Sequence, residues 1–161
     1  MKTELERLRE LSLAERLGRL HRLWCNVACM ELQPMGLTYS RWTALWKLVR
    51  LGDNLSQKVL AEALEIEVAS LMRTLGQLEQ QGLVSRHACT QDKRARIVSL
   101  TPAGHALVAQ VEAHIMQVRR ELLQGISETE LSEFERIIGL ISDNACAKLA
   151  TAGATPKQDS Q

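Results

Sequence analysis

The sequence has 161 residues, with 20 Lys+Arg against 19 Asp+Glu and a formal net charge of +1. That size suits one domain or one subunit of a small oligomer, and that balance excludes both a uniformly basic, histone-like protein and an acidic disordered one. Hydrophobic residues make up 45% and aromatics 3%, with nine Gly and three Pro, the composition of a folded and largely helical chain.

Spacings of three and four among Leu13, Leu17, Leu20, Leu23/Trp24, Val27 and Met30 predict a first helix over residues 8–32, stopped near Pro34 and Gly36. Thr38 or Ser40 caps the next helix, whose apolar face is Trp42, Leu45, Trp46 and Val49, up to a turn at Gly52-Asp53-Asn54. Ser56 then caps a short helix carrying Val59, Leu60, Ala63 and Leu64. A further helix is expected over about 68–81, with Leu71, Leu75 and Leu78 inward and Gly82 at C′. The period then changes. Leu83–His87 and Arg96–Leu100 contain β-branched residues and flank the polar stretch Thr90–Arg94, which reads as an antiparallel hairpin. Thr101-Pro102 is an N-cap followed by Pro at N1, starting a helix to about Gln124 with Leu107, Val111, Ile115, Val118 and Leu122 as its stripe. Gly125 breaks it, and Ser127-x-x-Glu130 is a capping box for a final helix with Leu131, Phe134, Ile137/Ile138, Ile141 and Ala145, ending near Leu149. Residues 151–161 are small and polar and are expected to be disordered.

Two helices three residues apart, followed at once by a hairpin, form a winged helix-turn-helix within residues 55–100. The fold class is therefore mainly α (α+β). Ala61 sits at the tight helix crossing, and Ile66 and Leu71 plug the space between the helices. The outward face of the second helix is Val68, Ala69, Ser70, Arg73, Thr74 and Gln77, small or hydrogen-bonding side chains suited to a major groove about 12 Å wide. Residues 38–100 hold nine basic and six acidic residues, and Arg86, Lys93, Arg94 and Arg96 cluster against Asp92 alone. Such a cluster is either a polyanion site or a solvated loop. Arg94 at the wing tip can reach a minor groove or phosphates; Arg86, Lys93 and Arg96 suit phosphates or solvent.

The segment Ile66-Glu67-Val68-Ala69-Ser70-Leu71-Met72-Arg73-Thr74-Leu75 through Gly82-Leu83-Val84-Ser85-Arg86, then Asp92-Lys93-Arg94-Ala95 and Leu100-Thr101-Pro102-Ala103-Gly104, resembles the recognition helix and D-x-R…L-T-x-x-G wing signature of MarR-type regulators, most like the SlyA branch. Thr38-x-x-x-Trp42 is similar to the start of that branch's second helix. The resemblance covers about residues 12–148. It implies a homodimer in which the N-terminal and C-terminal helices interlock and each winged helix reads half of a pseudo-palindrome in double-stranded DNA. The expected organisation is a dimerisation helix in 1–37, a DNA-binding domain in 38–100, dimerisation helices in 101–150 and a tail in 151–161. By the resemblance, Ser70, Arg73 and Thr74 stand at recognition-helix contact positions, Arg94 is the minor-groove arginine, and Asp92 pairs with nearby arginines to shape the wing. Three positions depart from the pattern. Glu65 stands where the turn often has Gly, and Val68 and Ala69 stand where the SlyA branch has Gln and Pro. Separately, Gly76 costs its helix about 1 kcal/mol against Ala, which close packing would offset.

Members of the family often bind small aromatic or phenolic acids between the dimer helices and the winged helix, so His21, Trp42 and Trp46 are candidate walls for such a ligand. Another branch senses oxidants through a cysteine, which makes Cys25, Cys29 and Cys89 redox candidates. The four cysteines and four histidines show no zinc spacing, so neither metal nor cofactor is expected. No nucleophile elbow, P-loop or dinucleotide fingerprint is present, and no enzyme activity is expected. No run of eighteen apolar residues offers a membrane span. The charged start Met1-Lys2-Thr3-Glu4 lacks a signal peptide's apolar core, so a cytoplasmic location is expected. An adaptor using a winged helix to bind protein is the alternative outside DNA binding.

Overall fold

The computed structural model describes residues 3, 4, 6, 12–52 and 54–153. Over residues 12–153, the described residues form six helices and a three-stranded antiparallel sheet in the order α1 (Leu13–Leu32), a 3-10 turn (Gln33–Met35), α2 (Tyr39–Leu51), β1 (Leu55–Ser56), α3 (Gln57–Leu64), α4 (Val68–Gln80), β2 (Val84–Ala88), β3 (Arg96–Leu100), α5 (Pro102–Leu122) and α6 (Glu128–Thr151). The expected first-helix residues 8–11, Asp53 of the turn and residues 154–161 of the tail lie outside the described residues.

Local chemistry fixes most boundaries. Ser12 and Glu15 close a reciprocal capping box on α1, a signal the periodicity alone does not reveal. Thr38 caps α2 through Arg41 N–H, and Ser56 caps α3 through Val59 N–H. Gly82 and Gly125 take φ of +70° and +85° after α4 and α5, the left-handed conformation in which glycine carries no Cβ penalty. Glu65, where the family pattern favours Gly, also takes the left-handed form at φ 54° and still closes the turn, its N–H donating to Glu62 O.

The core joins the winged helix to α1 and α5. Leu32, Leu45, Leu48, Leu60, Leu71, Leu75, Leu78, Val98 and Val111 are fully buried, and Ala61 is buried at the α3–α4 crossing. Several residues of the expected apolar faces instead face solvent: Leu13, Leu20, Leu23 and Met30 on α1, Val49 on α2, Val59 on α3 and Leu122 on α5 are exposed, while Ala44 and Leu48 take core positions on α2. Helical faces read from bulky residues alone miss the small side chains that close packing needs. The sheet also holds more than a hairpin. β3 runs between β1 and β2, with Leu55 opposite Val98 and Arg86 opposite Val98 on the other side.

Gly76 does not serve close packing: an added Cβ would meet nothing within 4 Å. Gly76→Ala is therefore expected to stabilise the protein by about 1 kcal/mol through helix propensity. Urea denaturation at fixed protein concentration checks this, and a loss of stability would contradict it.

Helix α6 is amphipathic yet has no buried residue. Phe134, Ile137, Ile138, Leu140 and Ile141 are 40–50% exposed along it. One ion pair, Arg119–Glu135 at 3.8 Å, links it to α5.

Candidate nucleic-acid interface

Leu71, Leu75 and Leu78 anchor α4 to the core. That anchoring turns Val68, Ala69, Ser70, Arg73 and Gln77 to the exposed side, with Thr74 half-buried at the edge and its hydroxyl donating to Ser70 O at 3.4 Å. Arg73 makes no ion pair with a described residue. The acid closest to it in sequence on this helix, Glu79, is engaged elsewhere: Arg86 places Nε at 2.9 Å and Nη2 at 2.6 Å from Glu79 Oε2, and its backbone N–H at 3.3 Å from Oε1. Arg86, expected to contact phosphate or solvent, is thus a strut from β2 to α4, with its side chain only 24% exposed.

Those hydrogen bonds hold the Glu79 carboxyl below its ordinary range; desolvation opposes the shift, and the charges of Arg86 and Arg96 add to it. A carboxyl depressed in the folded state stabilises the protein above its unfolded pKa and loses that contribution as pH falls through its folded pKa. The stability difference between wild type and Glu79→Gln is therefore expected to be flat above about pH 5 and to shrink below about pH 4. Denaturation midpoints across that range check it; a difference that grows on acidification would contradict it.

At the wing tip Asp92 acts on backbone rather than on an arginine side chain. Its Oδ1 accepts from Arg94 N–H at 2.9 Å, its carbonyl from Ala95 N–H at 3.0 Å, and Cys89 N–H donates to Ala95 O at 3.0 Å. This turn leaves the side chains of Lys93, Arg94 and Arg96 exposed, while Cys89 is half-buried at the strand end.

The Leu100-Thr101-Pro102-Ala103-Gly104 motif ties the wing to α5. Thr101 Oγ1 donates to Gly82 O at 2.6 Å and accepts from Gly104 N–H at 3.1 Å, and Thr101 N–H donates to Leu83 O at 3.1 Å. Gly104 packs flat on that same Leu83 carbonyl, leaving no room for a Cβ.

The comparisons with known proteins agree with this geometry. A sequence model of the MarR family matches residues 35–95. A solved structure described as transcriptional regulator PA3341 is 34% identical, with a TM-score of 0.74, over 83% of this chain and 98% of that one. The chain belongs to the MarR family. Two structures with DNA share the fold. MepR of S. aureus, solved as a DNA complex, has a TM-score of 0.79 at 21% identity over 84% of this chain and 99% of that one. A mutant of MarR from E. coli complexed with operator DNA has a TM-score of 0.76 at 22% identity over 80% and 92%.

This MarR-family chain also has a cavity of about 460 Å³ between α1, α2 and α5. Trp42 and Trp46, two of the candidate ligand-wall residues, line it, joined by Trp24, Tyr39, Arg50, Glu112 and Arg119. Arg50 lies 4.8 Å from the Trp46 ring centroid, a spacing of four that a sequence reading can find. Arg119 comes from a distant helix and leaves no local signal. His21 is not among the lining residues; its Nε2 sits 3.6 Å from Cys25 Sγ on α1. Burial, then the nearby Cys29, pushes the Cys25 thiol above its usual range, whereas a reactive cysteine needs a lowered one. Burial first, then Cys25 and Cys29, likewise raises the Tyr39 phenol. Among the described residues no cluster of His, Cys, Asp or Glu is arranged to hold a metal ion, and no helix is long and apolar enough to cross a membrane.

Proposed function

We propose that the protein is a homodimeric transcription regulator that reads a pseudo-palindromic operator. Helix α4 enters the major groove and the β2–β3 wing enters the adjacent minor groove. The observation that carries this reading is the outward face of α4, with Arg73 at its centre, set beside a wing whose tip presents Lys93, Arg94 and Arg96. Ser70, Thr74 and Gln77 offer hydrogen bonds to base edges, and Val68 and Ala69 offer apolar contact to thymine methyls. The dimer reading rests on α6: a 24-residue helix with an exposed apolar row needs a cover, and a second copy of the same helices supplies one symmetrically.

DNA binding is modulated, in this reading, by a small aromatic carboxylate in the Trp24/Trp42/Trp46 cavity. The indoles suit an aromatic ring, and Arg50, which makes no ion pair with a described residue, offers its guanidinium to a carboxylate, while Arg119 is shared with Glu135. The raised Cys25 thiol gives Cys25 less support as the sensor of the redox alternative.

Sedimentation and fluorescence anisotropy test the reading together. A dimer is expected at micromolar concentration. Six to ten phosphate contacts would cost about 10³–10⁵ in DNA affinity between 50 and 200 mM salt. Benzoate at millimolar concentration should weaken binding and quench tryptophan emission. A monomer that ignores duplex DNA at low salt would instead favour the protein-adaptor alternative.

A further inference from the structure

A second cavity, about 310 Å³, lies between α4 and the wing, lined by Gln57 from the start of α3, Met72 and Glu79 from α4, and Arg86 and Arg96 from the wing. Gln57 is out of character with its place. It is 8% exposed, the one buried polar side chain among the described residues, and its Oε1 is buried with no hydrogen-bond partner among them. A buried amide oxygen left unpaired costs free energy, and leucine would fill the space without that cost. Oε1 is an acceptor, so what it lacks is a donor, and the Arg96 guanidinium that lines the same cavity carries several.

We infer that this cavity seats a backbone phosphate of the DNA strand that divides the two grooves, with Arg96 and the Gln57 amide as its ligands. The inference rests on the DNA-binding reading above. When α4 occupies a major groove and the wing the neighbouring minor groove, the sugar–phosphate strand between those grooves crosses the gap between α4 and the wing. The cavity opens in that gap. Exposed Arg96 supplies the positive charge, and its guanidinium carries enough N–H groups to reach both a phosphate oxygen and Gln57 Oε1. Gln57 Nε2 donates to the phosphate. Glu79 alone would repel a phosphate, but two guanidinium N–H groups of Arg86 sit on its Oε2 and counter its charge. Gln57 also stands at the first turn of α3, where the helix dipole favours an anion.

The test uses the full-length dimer and an operator selected from random duplexes. Each phosphate of one half-site and its symmetry mate is replaced in turn by a neutral methylphosphonate. For wild type, one such replacement is expected to lower affinity about tenfold, the size of a hydrogen bond to a charged group. Gln57→Leu should bind the unmodified operator about tenfold more weakly, lose little more at that phosphate, and unfold at a denaturant concentration no lower than wild type. Stability held while affinity falls is a pattern that a purely structural glutamine does not give. Gln57→Glu, of the same shape, should repel the phosphate and lose more affinity than Gln57→Leu; if Gln57→Leu does not fold, Gln57→Glu carries the test alone. Arg96→Ala should reduce the salt slope by about 2 in the dimer. The proposal is overturned if Gln57→Glu binds as wild type does, or if the Gln57 variants lose the same factor as wild type at every phosphate. Inorganic phosphate should not compete beyond chloride of equal ionic strength; competition without any methylphosphonate effect would assign the cavity to free phosphate and overturn the DNA assignment. If wild type binds no duplex at low salt, the DNA-binding reading itself fails, and this inference with it.

Discussion

Gly104→Ala is expected to destabilise the protein by about 3 kcal/mol, at the upper end of overpacking costs. An alanine Cβ would penetrate the Leu83 carbonyl oxygen and crowd Leu100 Cδ2 at 3.0 Å. The carbonyl is backbone and cannot rotate away, because it accepts from Thr101 N–H. Relief requires the first turn of α5 to lift off the α4–β2 junction. That motion stretches the Thr101 bond to Gly82 O and tilts β2 and β3 relative to α4. Loss of DNA binding should therefore accompany loss of stability. Urea unfolding followed by tryptophan emission, at one protein concentration because the proposed dimer would couple stability to concentration, measures the first effect. A change under about 0.5 kcal/mol, the size of an ordinary surface substitution, would show that the contact is not a constraint.

Arg73→Ala and Arg94→Ala should fail in different ways. Arg73 stands on the outward side of α4, between the inward Leu71 and Leu75. A bidentate contact from there to a guanine is worth about 1–3 kcal/mol of discrimination in each half-site. Arg73→Ala should weaken operator binding and relax the preference at one position per half-site. Arg94 is held at the wing tip by the Asp92 turn, where the minor groove is strongly negative but poorly informative. Arg94→Ala should weaken binding to most sequences alike, with the salt slope reduced by about 2 in the dimer if each arginine neutralises one phosphate. Affinities for the operator, a one-base variant and random DNA at several salt concentrations separate the two. A changed base preference in Arg94→Ala with none in Arg73→Ala would reverse the assignment of elements to grooves.

What the sequence made legible was what is local. Ser127 and Glu130, Thr101 and Pro102, and the leucines of α4 act within one or two helical turns, so their spacing states their role. The wing was legible because β2 and β3 are joined by a short polar tip. Strand β1 was not: two residues carry no period, and their partner Val98 lies far along the chain. Sequence alone leaves Arg86 to phosphate or solvent because its partner Glu79 lies across the Gly82 turn, where neither helical nor strand spacing applies. Asp92, which the family resemblance pairs with nearby arginines, instead accepts a backbone N–H from Arg94, a contact that no residue pattern displays. In the aromatic cavity Trp42 and Trp46 were legible from α2 alone, whereas Trp24 and Arg119 arrive by tertiary packing and His21 turns away on α1. Gln57 gave no signal, since its oddity is burial, which only the packed structure reveals.

Selection of bound sequences from a pool of random duplexes asks whether a symmetric dimer reads bases through α4. Wild type at moderate salt should recover two inverted half-sites centred about one helical turn apart, roughly 10–10.5 bp. A single unpaired motif, or a bound pool with no sequence preference, would contradict a symmetric dimer that reads bases through α4.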